Sequence, residues 1–213
     1  MSVQLPFDDR LHAARLLAQA LAQWRGRHPL VLALPRGAVP MGRVIADALG
    51  GELDIVQVRK IGAPFNPEYA LGAVDESGWR WLSPALGAYA VDPATIDAIV
   101  QREMQRMRER RAQWCGTRQP VAAEGRVVIV VDDGLATGAS MLAALHAVRA
   151  QHPALLVCAV AVASPESLER VRPHADDIVC LAAPPGFQAV GQFYRDFRQV
   201  EDAEVAALLR APA

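Results

Sequence analysis

Asp132 and Asp133 stand side by side after the apolar run 127–131 (VVIVV), and Gly134-Leu135-Ala136-Thr137-Gly138-Ala139-Ser140 follows them. A buried strand ending in two carboxylates would deliver them to the carboxyl end of an open α/β sheet, where such sheets bind ligands. Gly134 and Gly138 let the backbone turn and approach a ligand closely. Thr137 and Ser140 add hydroxyl donors. The helix expected from Ala139 offers free amides and the positive end of its dipole to a phosphate. Acids suited to hydroxyls or a hydrated cation thus lie beside a phosphate cradle, and a sugar phosphate fits both. The stretch is not a P-loop, because the lysine of GxxxxGK[ST] is missing, and it contains no GxGxxG fingerprint. A generic Asp-Asp-Gly turn would more often be a plain strand end.

The whole string closely resembles the phosphoribosyl-pyrophosphate-binding motif of type I phosphoribosyltransferases. That resemblance implies that Asp132 and Asp133 hold the ribose hydroxyls. It implies that the turn from Gly134 through Ala136, Thr137, Gly138, Ala139 and Ser140 wraps the five-prime phosphate. Residues 34–40 (LPRGAVP) resemble the family's pyrophosphate loop, so Arg36 and Gly37 would meet the leaving group. Val58-Arg59-Lys60-Ile61-Gly62 with Glu68-Tyr69-Ala70-Leu71 resembles the adenine-type branch. There Lys60 would approach the pyrophosphate, Glu68 would be the loop carboxylate, and the loop 61–68 would close over the site. Lys60, Glu68 and Arg36 form the expected catalytic set. Mg²⁺ is the implied cofactor, held by Asp132 and Asp133 mostly through water and ligand, as suits a cation that keeps its waters.

Two features separate the branches. Hypoxanthine-type members carry a third carboxylate where this chain has Ala136. Residues 186–197 nevertheless resemble the base-side stretch of that branch, with Phe187 and Tyr194 as stacking candidates and Val190 near the place of a metal-binding aspartate. The implied reaction moves a phosphoribosyl group to a nitrogen acceptor, a nucleobase first, and releases pyrophosphate, in nucleotide salvage. A non-nucleobase acceptor stays open. The rival class is a regulatory or RNA-binding protein that senses the donor without turnover.

The surrounding pattern supplies elements to position these residues. Helices are expected over 9–24 (Leu11, Ala14, Leu17, Ala18 and Leu21 on one face), 38–49, 92–114, 139–150 and 202–209, with another opened by Ser164-Pro165-Glu166. Strands are expected at 30–34, 54–58, 127–131, 155–162 and 178–181, with a hairpin at Trp79 and Trp81 and a loop around Gly62, Pro64 and Pro67. Strands alternating with helices imply a central parallel sheet covered on both faces. The expected fold is therefore α/β and type I phosphoribosyltransferase-like. It forms one domain over 1–213, with a small hairpin and a C-terminal hood at 184–200.

Composition narrows the partners. The chain has 213 residues, 52% hydrophobic and 21% charged, with a net charge of −1, which removes the global positive field that nucleic acid would favour. Arg102, Arg106, Arg108, Arg110 and Arg111 make one helix locally basic, a solvated face in most proteins. The longest apolar run, 154–163, is too short for a bilayer. Asp8, Asp9 and Arg10 after Phe7 do not resemble a signal peptide. Cys115, Cys158 and Cys180 have no metal or disulfide spacing, and the five histidines are scattered. A cytoplasmic protein is expected. Its partners would be phosphoribosyl pyrophosphate, a small acceptor and a second copy in a homodimer, with neither membrane nor nucleic acid.

Overall fold

The chain runs Arg10–Ala20 (α1), Leu30–Ala33 (β1), Val39–Leu49 (α2), Glu52–Ile55 (β2), Val58–Ala63 (β3), Asn66–Asp75 (β4) and Arg80–Leu82 (β5). It continues through Pro93–Cys115 (α3), Val127–Leu135 (β6), Ala139–Arg149 (α4), Leu155–Ala163 (β7), Pro165–Val171 (α5), Asp177–Ala182 (β8) and Asp202–Arg210 (α6). This computed structural model describes residues 4–64, 66–82 and 91–210, without the side chains of 66–70.

Five strands form a parallel sheet in the order β2-β1-β6-β7-β8, as the α/β pattern predicts. From β1 the chain crosses through α2 to β2 on one side. From β6 it crosses through α4 and α5 to β7 and β8 on the other. The order therefore reverses between β1 and β6, and the crevice outside their carboxyl ends is where such sheets take ligands. Both halves of the expected site, residues 34–40 and 132–140, leave from these two strands.

Alternation along β6 makes two cores. Ile129 and Val131 face α1, α2 and α6 with Leu17, Met41, Ile45 and Val205, all fully buried. Val128 and Val130 face α4 with Met141, Leu145 and Val148. Burying each such side chain contributes about 1.5–3 kcal/mol, so the strand that carries the acids is among the most firmly held. Leu11, expected on the apolar face of α1, is 41% exposed, because Ala13 and Ala14 make the contact with the core at that turn.

A second, antiparallel sheet of order β3-β4-β5 packs its Ile61, Leu71 and Val74 against Ile96, Val100, Met104 and Met107 of α3. Three expectations change here. The strand expected at 54–58 is two elements: β2 ends at Ile55, while Gln57 turns to donate to the Met107 carbonyl at 2.9 Å, and Val58 opens β3. The loop expected at 61–68 is largely a hairpin, with β3 reaching Ala63 and β4 starting at Asn66, and with register shifts at Gly62. Arg111 does not belong to a solvated basic face. It is buried, donating to Asp54 Oδ2 at 2.6 Å and Glu76 Oε1 at 2.9 Å, and so ties β2 to the end of β4. Among the described residues, no helix is long and apolar enough to cross a membrane.

Candidate active site

Asp132 and Asp133 lie within a strand rather than in a loop. β6 continues to Leu135, with Asp132 opposite Val160, Gly134 opposite Val162 and Leu135 opposite Ala163 of β7. Backbone pairing on this long neighbour holds the acids more rigidly than a loop would. Gly134 is required for packing: a Cβ there would come within 2.7 Å of Val190 Cγ1 and 3.0 Å of the Val162 carbonyl. Val190, near the place of a metal-binding acid in the resembling branch, instead packs on the acid turn.

The Asp133 amide donates to Asp132 Oδ1 at 2.8 Å. Asp133 Oδ2 accepts from Arg10 Nε at 2.8 Å, with both side chains largely buried. This contact of Arg10 with the acid pair is one that the sequence does not reveal. Arg10 opens α1, and nothing in its local pattern links it to a position 123 residues away.

Burial pushes the Asp132 carboxyl well above the usual carboxylate range, and the neighbouring Asp133 charge adds to it. Asp133 is also raised by burial, but the Arg10 charge and hydrogen bond pull it back. A raised folded-state pKa means that the folded chain keeps a proton the unfolded chain has lost. The resulting stability is full below the ordinary value of 3.8 and is lost as pH rises through the raised folded values. His146, lowered by burial and by His174, works in the opposite direction near its ordinary 6.5. The expected result is that Asp132→Asn flattens the fall in thermal stability of the ligand-free protein as pH rises above the ordinary carboxylate range. Melting curves of wild type and variant across that range check it, and parallel curves would contradict it.

After the acids, the expected phosphate loop is short. Ala136, Thr137 and Gly138 connect β6 to α4, and Gly138 takes a left-handed φ of 73° as the residue before the helix. The Ala139 amide donates to Thr137 Oγ1 at 3.4 Å. The loop is anchored from behind by the start of α5. Ser167 Oγ donates to the Ala136 carbonyl at 2.6 Å, and Ser164 Oγ, 3.1 Å from the same carbonyl, accepts the Ser167 amide. Ser164 is legible in the sequence as a helix cap. Its hold on residue 136 is not.

Residues 34–38 turn tightly after β1: the Ala38 and Val39 amides donate back to the Leu34 and Arg36 carbonyls. That leaves the Arg36 and Gly37 amides as candidates for a ligand. Gly37 lies against the acid pair. A Cβ there would overlap Asp133 Oδ2 and reach within 3.3 Å of both Arg10 Nε and Nη2. The two segments expected to bind the two halves of one ligand therefore meet. Arg36 points to Asp202 at the start of α6, with Nη1 3.5 Å from Oδ1 and both side chains partly exposed.

Lys60 is exposed on β3, opposite Ala73 of β4. Glu68 lies on β4, and its side chain falls outside the described residues. Phe187 is partly buried, with its ring 5.1 Å from that of Phe193. Tyr194, expected as a stacking residue, has no such role. Only 6% exposed, it packs between Phe7 at 5.3 Å and Phe197 at 5.0 Å, and its hydroxyl donates to the Asp133 carbonyl at 2.7 Å. Burial raises its pKa, so it remains a donor. The 184–200 segment is fastened to the N-terminal stretch. Phe7 donates to the Phe193 carbonyl and accepts from the Arg195 amide, each at 2.8 Å.

The chain matches the family model of the phosphoribosyl transferase domain over residues 9–198. It is 42% identical over 204 residues to a protein of Mycobacterium tuberculosis strain H37Rv whose name provisionally assigns it as a phosphoribosyl transferase, and equally to the counterpart in strain CDC 1551. Those matches cover 95% of this chain and 46% of each relative, so the chain spans about half the length of the curated relatives it matches. The crystal structure of TT1426 from Thermus thermophilus is 47% identical with a TM-score of 0.86, covering 96% of this chain and 98% of that one.

Proposed function

Since the chain belongs to the phosphoribosyl transferase domain family, we propose that it transfers a phosphoribosyl group from phosphoribosyl pyrophosphate to a ring nitrogen of a small acceptor, a nucleobase first. The observation that carries this reading is the contact between Gly37 and the Asp133–Arg10 pair across the β1/β6 crevice. It supports one extended ligand: ribose hydroxyls on Asp132 and Asp133, five-prime phosphate on the turn 136–140 and diphosphate at Arg36 and Gly37.

The chemistry breaks the bond from the anomeric carbon to pyrophosphate and forms one to nitrogen, through a transition state of oxocarbenium character. The protein contributes alignment and fixed charge where charge develops. Arg36 turns from Asp202 to the departing diphosphate. An exposed ion pair holds about 0–1 kcal/mol, so the exchange costs little. Lys60 brings a second cation from β3. Glu68 is the candidate carboxylate for the acceptor's ring proton, and Phe187 the candidate aromatic contact for its base.

Among the described residues, no group of three or more His, Cys, Asp or Glu could hold a metal ion by itself. Two adjacent carboxylates do offer the oxygen chemistry that Mg²⁺ takes, usually with waters and substrate phosphates completing its shell. The residues thus fit a Mg²⁺ shared with the donor, near Asp132 and Asp133. When bound, it supplies charge neutralisation to the leaving diphosphate. A homodimer and a cytoplasmic setting belong to the same reading.

The test is pyrophosphate release by the purified protein with Mg²⁺, phosphoribosyl pyrophosphate and a panel of nucleobases. Turnover with one acceptor well above the acceptor-free rate is expected. Donor hydrolysis alone, or no release at all, would reject the transfer.

A further inference from the structure

We propose that Arg10 is a positioning residue for the donor's ribose, fixing the Asp133 carboxylate in the orientation that receives a ribose hydroxyl. The inference rests on the reading that the crevice binds phosphoribosyl pyrophosphate.

Three chain segments meet around this guanidinium. Nε donates to Asp133 Oδ2 at 2.8 Å, and Nη1 donates to the Arg198 carbonyl at 2.7 Å. The Phe197 ring lies under it, 3.8 Å from ring centroid to guanidinium carbon. Gly37 closes the remaining side, where any Cβ would intrude on Nε, Nη2 and Asp133 Oδ2 together. A planar fork satisfies these demands at once, whereas an ammonium is a point charge and cannot.

Arg10 occupies one oxygen of Asp133, and Asp132 accepts the Asp133 amide through one of its own. Each carboxylate keeps acceptor capacity for a hydroxyl, since its two oxygens together offer about four lone-pair sites. The Tyr194 hydroxyl holds the Asp133 carbonyl, so both the backbone and the side chain of that residue are pinned. Without Arg10, the Asp133 carboxylate is free to rotate and a largely buried negative charge loses its partner. The N-terminal helix therefore acts on the ribose site through Arg10, and the C-terminal hood through Arg10 and the Tyr194 hydroxyl.

Calorimetric titration tests this with phosphoribosyl pyrophosphate, ribose 5-phosphate and inorganic pyrophosphate, each with Mg²⁺. Arg10→Met should weaken both sugar phosphates by about tenfold or more, the size typical of losing a group that orients a ligand-binding side chain. Pyrophosphate affinity should fall far less. Arg10→Lys should recover part of the loss, and Phe197→Leu should give a smaller loss with the same selectivity. In an Asp133→Asn background, where the amide oxygen holds Arg10 more weakly, Arg10→Met should cost much less. Melting curves establish that each variant is folded, and Arg10→Lys and Phe197→Leu carry the test if Arg10→Met is not. Unchanged sugar-phosphate affinity, an equal loss for pyrophosphate, or a loss undiminished in the Asp133→Asn background would overturn the proposal. Failure of the wild type to bind any of the three overturns the functional reading itself, and this proposal with it.

Discussion

Replacing Asp132 and Asp133 together by Asn is expected to remove measurable binding of phosphoribosyl pyrophosphate while leaving the protein folded. Each acid is placed to accept a hydroxyl hydrogen bond, and a hydrogen bond to a charged group contributes about 1.5–3 kcal/mol. Losing two of them amounts to a ~10²–10⁴-fold loss of affinity. Folding should survive because the pair does little for stability. Burial raises both carboxyls, so their charged forms cost the fold stability, and β6 is held by backbone pairing and by Val128 to Val131. The amide introduced by Asp133→Asn still offers an oxygen to Arg10, at lower strength. Calorimetry and thermal melting of the double variant decide it: wild-type affinity would refute the ribose assignment, and an unfolded variant would refute the claim that the acids serve binding rather than structure.

Lys60→Ala is expected to lower kcat by ~10²-fold or more while donor affinity changes far less, since one preorganised electrostatic group typically stabilises the transition state by a few kcal/mol. The asymmetry arises because negative charge grows on the diphosphate only as the bond breaks, and interactions stronger in the transition state act on kcat. Lys60 is exposed on β3. The sheet carrying it is backed by α3 through Ile61, Leu71, Val74 and Met104, so the strand is a supported element rather than a loose loop. Pyrophosphate release and donor titration, measured on the same preparation, separate the outcomes. Equal losses in both would mean uniform binding and remove the catalytic role. Binding without turnover in the wild type, for every acceptor, would favour a sensor of the donor.

Residues close together in sequence carried most of what could be read without a structure. The apolar run ending in Asp132 and Asp133, the glycines at 134 and 138 and the start of α4 form one continuous segment. Alternation and periodicity place such a segment on a strand and a helix before any fold is known. Five parallel strands and their flanking helices followed from the same local signals. Local signals failed where a distant partner overrode them. Asp132 and Asp133 sit in β6 rather than in a loop because β7 continues beside them to Ala163. The stretch 61–68 became a hairpin because α3 supplies an apolar face for it to cover. Arg111 left the basic surface because Asp54 and Glu76 meet it.

The sequence by itself determined the candidate binding groups: two acids, a phosphate turn and a glycine loop, each set by neighbours within a few residues. Tertiary structure alone decided how they are held. Arg10 reaches Asp133 from the other end of the chain, Ser167 holds Ala136 from the next crossover, and Tyr194 turns its hydroxyl to the Asp133 carbonyl instead of its ring to a base. Each of these contacts joins segments whose separation along the chain leaves no periodic or compositional trace, and only the packing of α1, α5 and the hood around the β1/β6 crevice brings them within hydrogen-bond reach.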